Sequence, residues 1–179
     1  PGDQKIIGNS EPRFIYGINL SGDWNNFFVS AFFQGVGKQD WWPGSEASYF
    51  WGMYNRPYND MPKSHLGNIW TEENPNPRAV YPRIYGGHSL DDYNQYFSDY
   101  QLFDADYFRI KTISLGYRVP SNLISKWGMS SLKFFLTGEN LFTLRADHVM
   151  KDFDPEASSG RGIGSLGTKS VAFGVNVSF

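Results

Sequence analysis

The chain has 179 residues, enough for one domain, and a formal net charge of −2. No apolar run approaches the ~18 residues of a membrane helix, the absence of cysteine excludes disulfides and thiolate metal sites, and the near-neutral charge gives no reason to expect nucleic acid. Aromatic residues make up 18% of the chain beside 19 glycines. Membrane barrels combine these properties, because only alternate residues face lipid and aromatic girdles mark both interfaces. The chain opens on Pro1-Gly2-Asp3, without an initiator Met, a basic region or an apolar region, which reads as an internal or trimmed start.

Pro12–Ser21 sets Phe14, Tyr16, Ile18 and Leu20 against Arg13, Ile15, Gly17, Asn19 and Ser21. Side chains of a strand alternate between faces, so this run predicts a first strand. Ser21-Gly22-Asp23 carries turn chemistry. Trp24–Val36 then predicts a second strand, with Phe27, Val29, Ala31, Phe33 and Gly35 on the more apolar face and Phe28, Ser30, Phe32, Gln34 and Val36 on the mixed one. Together they predict a hairpin. From Gly37 to about residue 105 the sequence is dense in Pro, Gly, Asn, Asp and aromatics and keeps no period. A connection of that length is either a functional loop or an argument against the strand assignment.

Asp106–Val119 predicts a third strand that changes phase. Phe108 and Ile110 share one parity, whereas Ile113, Leu115 and Tyr117 share the other. A one-residue slip moves every side chain to the opposite face, so a bulge or a change of surroundings is required. Under strict alternation Arg109 and Lys111 would join Ile113, Leu115 and Tyr117 on an outer face, above any hydrocarbon. Pro120–Ser130 predicts a short helical turn that Pro120 starts and Gly128 ends. Ser131–Thr143 predicts a fourth strand, with Leu132, Phe134 and Leu136 opposite Lys133, Phe135, Thr137 and Glu139. Leu144–Thr168 is a polar, Gly-rich loop. Lys169–Phe179 predicts a fifth strand, with Val171, Phe173, Val175, Val177 and Phe179 on one face and small or polar residues on the other. Taken alone, that last segment fits a soluble sandwich strand as well as a barrel strand of about 9–11 residues. Five such strands cannot close a membrane barrel, whose smallest versions have about eight. The fold expected is therefore an all-β fragment, an antiparallel sheet belonging to a larger transmembrane barrel.

Several segments resemble one family in the expected order along nearly the whole chain. They are Ile7-Gly8-Asn9-Ser10-Glu11-Pro12-Arg13-Phe14, Tyr16–Gly22, Ser30–Gly37, Trp70–Pro75, Tyr81-Pro82-Arg83, Arg109–Tyr117, Gly138-Glu139-Asn140-Leu141-Phe142-Thr143 and Asp152-Phe153-Asp154-Pro155-Glu156. Together they resemble the C-terminal part of SusC/RagA-type TonB-dependent outer-membrane transporters. The resemblance implies the last five strands of a barrel of about 22 strands around a plug. It also implies active nutrient import, a SusD-type surface lipoprotein as lid, TonB acting through a plug that this chain does not contain, and location in the outer membrane of a Gram-negative bacterium. Phe179 corresponds to the terminal aromatic by which such barrels present themselves for assembly. The loops at about 37–105 and 144–168 would be extracellular, and Asp23 and the Pro120–Ser130 turn periplasmic. Asn19, Gln34, Lys133, Glu139 and Asn176 would face the lumen.

The aromatics of the long loop, Trp41, Trp42, Tyr49, Phe50, Trp51, Tyr54, Tyr58, Trp70, Tyr81 and Tyr85, have two readings. They can stack on sugar rings, or they can pack the loop onto itself or onto a lid, as Trp and Tyr do at interfaces. Trp41, Trp42, Trp51, Trp70, Tyr81 and Arg83 are the candidates for contact with substrate or lid. Asp152, Asp154 and Glu156 lack the spacing and the Gly of a calcium loop and read as a solvated turn. His65, His88 and His148 lack zinc-site spacing, and the Gly-x-Gly within residues 158–164 lacks the strand-to-helix context of a phosphate cradle. No nucleophile–base pair, metal site or cofactor site is expected. Oligosaccharide import is the leading function, with peptides as the alternative cargo and a soluble carbohydrate-binding sandwich as the alternative of another class.

Overall fold

A computed structural model describes residues 4–44, 47–54, 58–83, 98–156 and 167–179. The described residues group into two compact units. One comprises Phe14–Val36, Tyr107–Leu144 and Gly167–Phe179; the other comprises Pro1–Arg13, Gly37–Asp106 and Arg145–Leu166.

The first unit is a five-stranded sheet of β1 (Phe14–Trp24), β2 (Phe27–Gly37), β5 (Tyr107–Arg118), β6 (Ser131–Arg145) and β7 (Ser170–Ser178), in that spatial order. Neighbours in space are neighbours along the chain once the long connections are set aside, so the sheet is a meander. Strand β1 runs through Gly22 and Asp23, and the hairpin turns at Asn25-Asn26 instead. Asn25 adopts φ 53°, a left-handed conformation that Asn tolerates better than most residues. Helix α2 (Ser121–Ile124) follows Pro120, and a further turn over Ser125–Trp127 ends at Gly128 with φ 70°. Both boundaries are those expected from Pro120 and Gly128.

The phase change in β5 has a physical cause. Ala31 opposes Ile113 and Phe32 opposes Thr112, but Phe33 opposes Ile110, so Lys111 is an extra residue on β5. Opposed residues of an antiparallel ladder share a face. The bulge therefore puts Phe108 and Ile110 on the same face as Ile113, Leu115 and Tyr117. Arg109 opposes Gln34 on the other face, which corrects the outward placement that strict alternation gives it. Its Nε donates to Thr143 Oγ1 at 2.9 Å, and the guanidinium lies 5.6 Å from the Tyr107 ring centre. Arg109 is buried.

Across the sheet the two faces differ throughout. One carries Phe14, Tyr16, Ile18 and Leu20 of β1 and Phe27, Val29, Ala31 and Phe33 of β2. It continues with the five apolar residues of β5, with Leu132, Phe134 and Leu136 of β6, and with Val171, Phe173, Val175 and Val177 of β7. None of these positions is charged, and Val171 and Phe173 are 66% and 69% exposed. A water-facing surface rarely shows so large an apolar patch. Trp24, Phe27 and Tyr117 sit at the turn end of this face, and Tyr16, Phe33 and Phe108 at the other. At about 3.4 Å per residue, Phe27 and Phe33 stand roughly 20 Å apart, close to the ~25 Å apolar band between the girdles of a membrane barrel.

The opposite face carries Asn19, Gln34, Lys133, Glu139 and Asn176. Lys133 opposes Asn176, and Glu139 opposes Ser170, whose hydroxyl donates to Glu139 Oε2 at 3.0 Å. Ser114 and Thr137 hydroxyls meet at 2.8 Å. Phenylalanines on this face lie on bare backbone: a Cβ on Gly116 would fall 2.1 Å from the Phe28 ring, and one on Gly174 2.2 Å from the Phe135 ring. Glycine is required at both positions by close approach. Arg118 closes the turn end, pairing with Asp23 and covering the Phe28 ring at 4.7 Å.

Candidate functional site

The second unit is built from the long connections, and it has a core of its own. A two-stranded ladder pairs β3 (Asp40–Trp41) with β4 (Phe103–Asp104) and holds the two ends of the long loop together. Helix α1 (Ser48–Trp51) runs into a tighter turn over Gly52–Tyr54, where Gly52 takes φ 54° against Pro62 and His65. The core consists of Trp41, Phe50, Trp51, Tyr54, Tyr81, Phe103 and Phe153 with Ala47 and Ala105. Phe50 is its hub. Its ring contacts those of Trp51 at 4.9 Å, Tyr81 at 5.0 Å, Trp41 and Phe103 at 5.6 Å and Phe153 at 6.2 Å. Such aromatic pairs favour tilted and edge-on geometries, as most of these are. Phe153 follows the short turn Val149–Asp152, so the second connection contributes to the core of the first.

This core redistributes the six contact candidates. Trp41, Trp51 and Tyr81 are buried at 4%, 0% and 1% exposure. They pack the loop onto itself and leave little ring surface exposed. Trp51 Nε1 donates to the Gly44 carbonyl at 2.9 Å. Trp42 is half-buried, Trp70 is 36% exposed, and Arg83 reaches the surface, where it pairs with Glu72 at 2.6 Å. Tyr85, His88 and the Gly-x-Gly at 158–164 lie outside the described residues. Among described residues no group of three or more His, Cys, Asp or Glu could hold a metal. Asp154 accepts from the Glu156 backbone at 3.0 Å, a local turn bond.

Sequence reasoning missed the roles of Phe50, Phe103, Phe153 and His65. His65 is fully buried, with its ring centre 3.9 Å from that of Tyr81 and Nε2 2.7 Å from the Phe50 carbonyl. Nε2 therefore carries the proton and donates. Burial holds its pKa below the ordinary 6.5, and the bond to Phe50 only partly offsets this. The folded unit thus resists protonation of His65 more than the unfolded chain does. The resulting stability is full above the unfolded pKa of about 6.5 and is lost as pH falls towards the lower folded value. Limited proteolysis of this unit should accelerate between pH 7.5 and 5 in the wild type. His65→Gln, which keeps a donor and cannot titrate, should flatten the profile, and equal pH dependence in both would refute the assignment. Asp104, opposite Asp40 in the β3–β4 ladder, is shifted upward by burial first and by neighbouring Asp106 and Asp40 in smaller part.

No family model matches the chain. Over 156 residues, 87% of the chain, it is 26% identical to the TonB-dependent receptor P3 of Formosa agariphila. It is 28% identical to TonB-dependent receptor P26 of the same organism over 198 aligned positions, 99% of the chain. It spans only 14% and 18% of the length of these relatives. Among solved structures it resembles the RagAB peptide transporter, with TM-score 0.70 and 21% identity over 97% of this chain. It also resembles the RagAB peptide importer in the closed-closed state, with TM-score 0.69 and 20% identity over 98%. Each match covers 18% of the solved chain. A five-stranded meander with one apolar face, unclosed by itself, is what a segment of such a barrel wall must be. The chain is thus similar in sequence to part of TonB-dependent receptors and similar in fold to part of the RagAB transporter.

Proposed function

We propose that this chain supplies part of the barrel wall, and a folded loop unit outside it, in an importer of the Gram-negative outer membrane. The observation that carries this reading is the uncharged, exposed apolar face that runs unbroken across all five strands, backed by a polar face. In lipid every backbone group must pair internally, so such a sheet works only when further strands complete it into a closed barrel. The apolar face then meets lipid, and Asn19, Gln34, Lys133, Glu139 and Asn176 face the lumen and its plug. Uptake is energised through TonB, and a SusD-type lipoprotein covers the outer mouth.

Peptides are the cargo we favour, with oligosaccharides second. Burial of Trp41, Trp51 and Tyr81 removes three of the planar platforms that speak for sugar stacking, and the structural relatives are described as peptide importers. Deleting the gene of the complete protein should abolish growth on peptides as sole nitrogen source while growth on oligosaccharides persists; the reverse pattern restores the glycan reading.

Orientation is tested separately. The short turn Pro120–Ser130 belongs to the periplasmic side, and the folded loop unit to the cell surface, because barrels of this kind carry short turns inside and long loops outside. In intact cells an impermeant maleimide should label Glu73→Cys and spare Ser125→Cys. Labelling of Ser125→Cys alone reverses the topology and sinks the proposal.

A further inference from the structure

The loop unit contains a cavity of about 190 Å³ lined by Ser64, Asn68, Val80, Tyr81, His148, Val149 and Lys151. Two separate stretches of chain build it, one around residues 64–81 and one around 148–151. Its floor is apolar: Val80 and Val149 are half-buried against the aromatic core, and Tyr81 is buried in it. Its polar groups are those of Ser64, Asn68, Tyr81, His148 and Lys151, and none of them is an anion. Tyr81 Oη lies 3.5 Å from Ser64 Oγ and donates to it, which leaves the Ser64 hydroxyl hydrogen to point elsewhere. The Asn68 amide is already committed to the Ser64 carbonyl at 2.7 Å. His148 turns Nδ1 to Asp147 at 3.1 Å. The Lys151 ammonium has no ion-pair partner among the described residues, and no carboxylate lines the cavity.

We infer that this cavity binds a carboxylate group of the cargo. The Lys151 ammonium and the Ser64 hydroxyl supply donors, and Val80 and Val149 receive the carbon chain that bears the carboxylate. A lone cation beside an apolar floor favours an anion with a short aliphatic stem over a neutral amide, which brings no charge to meet it. The volume is smaller than the ~300 Å³ of an ordinary small-molecule pocket, so it suits one terminal group of a longer cargo. Two sources fit that chemistry, an acidic side chain or C-terminus of a peptide and the uronate of an acidic sugar. The inference deepens the import reading and rests on it.

The experiment uses the complete transporter purified in detergent, with binding followed by calorimetry. The probes are a short peptide ending in a free Asp, the same peptide ending in Asn amide, and an acidic and a neutral disaccharide. Charge-assisted hydrogen bonds at a partly exposed site should favour the acidic member of the recognised pair by about 5- to 10-fold. Lys151→Ala should erase that preference, and Lys151→Arg should keep most of it, because the charge is retained. Preference within the peptide pair assigns a peptide carboxylate, and preference within the sugar pair assigns a uronate. Undiminished preference in Lys151→Ala, or equal binding of both members of each pair by the wild type, overturns the inference. Equal binding within a pair leaves import of that cargo standing. Wild-type binding of none of the four probes overturns the carboxylate site, and the growth test above then decides import by itself.

Discussion

Val175→Arg should remove the complete protein from the outer membrane, whereas Asn176→Glu one residue along should be tolerated. Val175 lies in the apolar face opposite Phe134 and is 48% exposed there. An arginine on the lipid face costs about 2–4 kcal/mol near the midplane and less towards the interfaces. Several flanking residues of the same face, Phe173 and Val177 among them, offer the guanidinium no partner. Asn176 points to the other face and opposes Lys133, so a glutamate there gains an opposite charge across the strands, worth a few tenths of a kcal/mol. Arginine at that position would instead set two cations against each other. Heat-modifiable mobility of outer-membrane fractions measures folded barrel. Equal loss of both variants would show that the two faces do not see different solvents.

Phe50→Ala should dismantle the loop unit while leaving barrel insertion intact. Phe50 is fully buried and its ring touches those of Trp41, Trp51, Tyr81, Phe103 and Phe153. Truncating a buried Phe to Ala costs about 3–5 kcal/mol, through lost transfer energy and the cavity left behind. A unit this small, with few regular hydrogen-bonded elements, has little stability to spare. Surface proteolysis of intact cells should cut within residues 47–83 in the variant and not in the wild type, at equal amounts of folded barrel. Resistance in both would mean that the aromatic core is not what holds the loop together. The same logic limits what mutation of Trp41 can reveal: its replacement injures this core before it touches any ligand or lid.

The strands were legible because their environment imposes a period. A residue in β7 either meets the apolar side or does not, so Val171, Phe173, Val175 and Val177 announce the strand in their spacing. The phase change in the third strand was legible too, as a break of parity at Arg109–Ile113. Which residue absorbs it was not, because only the partner strand shows that Lys111 is skipped, and Arg109 was therefore placed on the wrong side. The hairpin turn was misplaced for a related reason. Gly22 permits a turn without requiring one, and in the sheet it faces Val29, whereas Asn25 supplies the left-handed residue. The loop core was hidden for a different reason. Phe50, Phe103 and Phe153 belong to three stretches far apart in the chain: a four-residue helix, a two-residue strand and the end of a short turn, none long enough to show an apolar period. Local spacing shows that the aromatics are numerous and says nothing about which of them meet.

Lys111 also makes the length of β5 a matter of odd and even. With it, Gln34 and Arg109 stand on one side and Phe33, Phe108 and Ile110 on the other. Flatten the bulge with its residue kept, and the upper half of the strand exchanges its two surfaces: Arg109 turns to the lipid and Phe108 to the interior. Delete Lys111 instead, and the plain ladder that remains keeps each residue on its present side, Ile110 against Phe33 and Arg109 against Gln34. The loss of Lys111 thus changes no neighbour's solvent, whereas its forced entry into the ladder changes the solvent of half a strand.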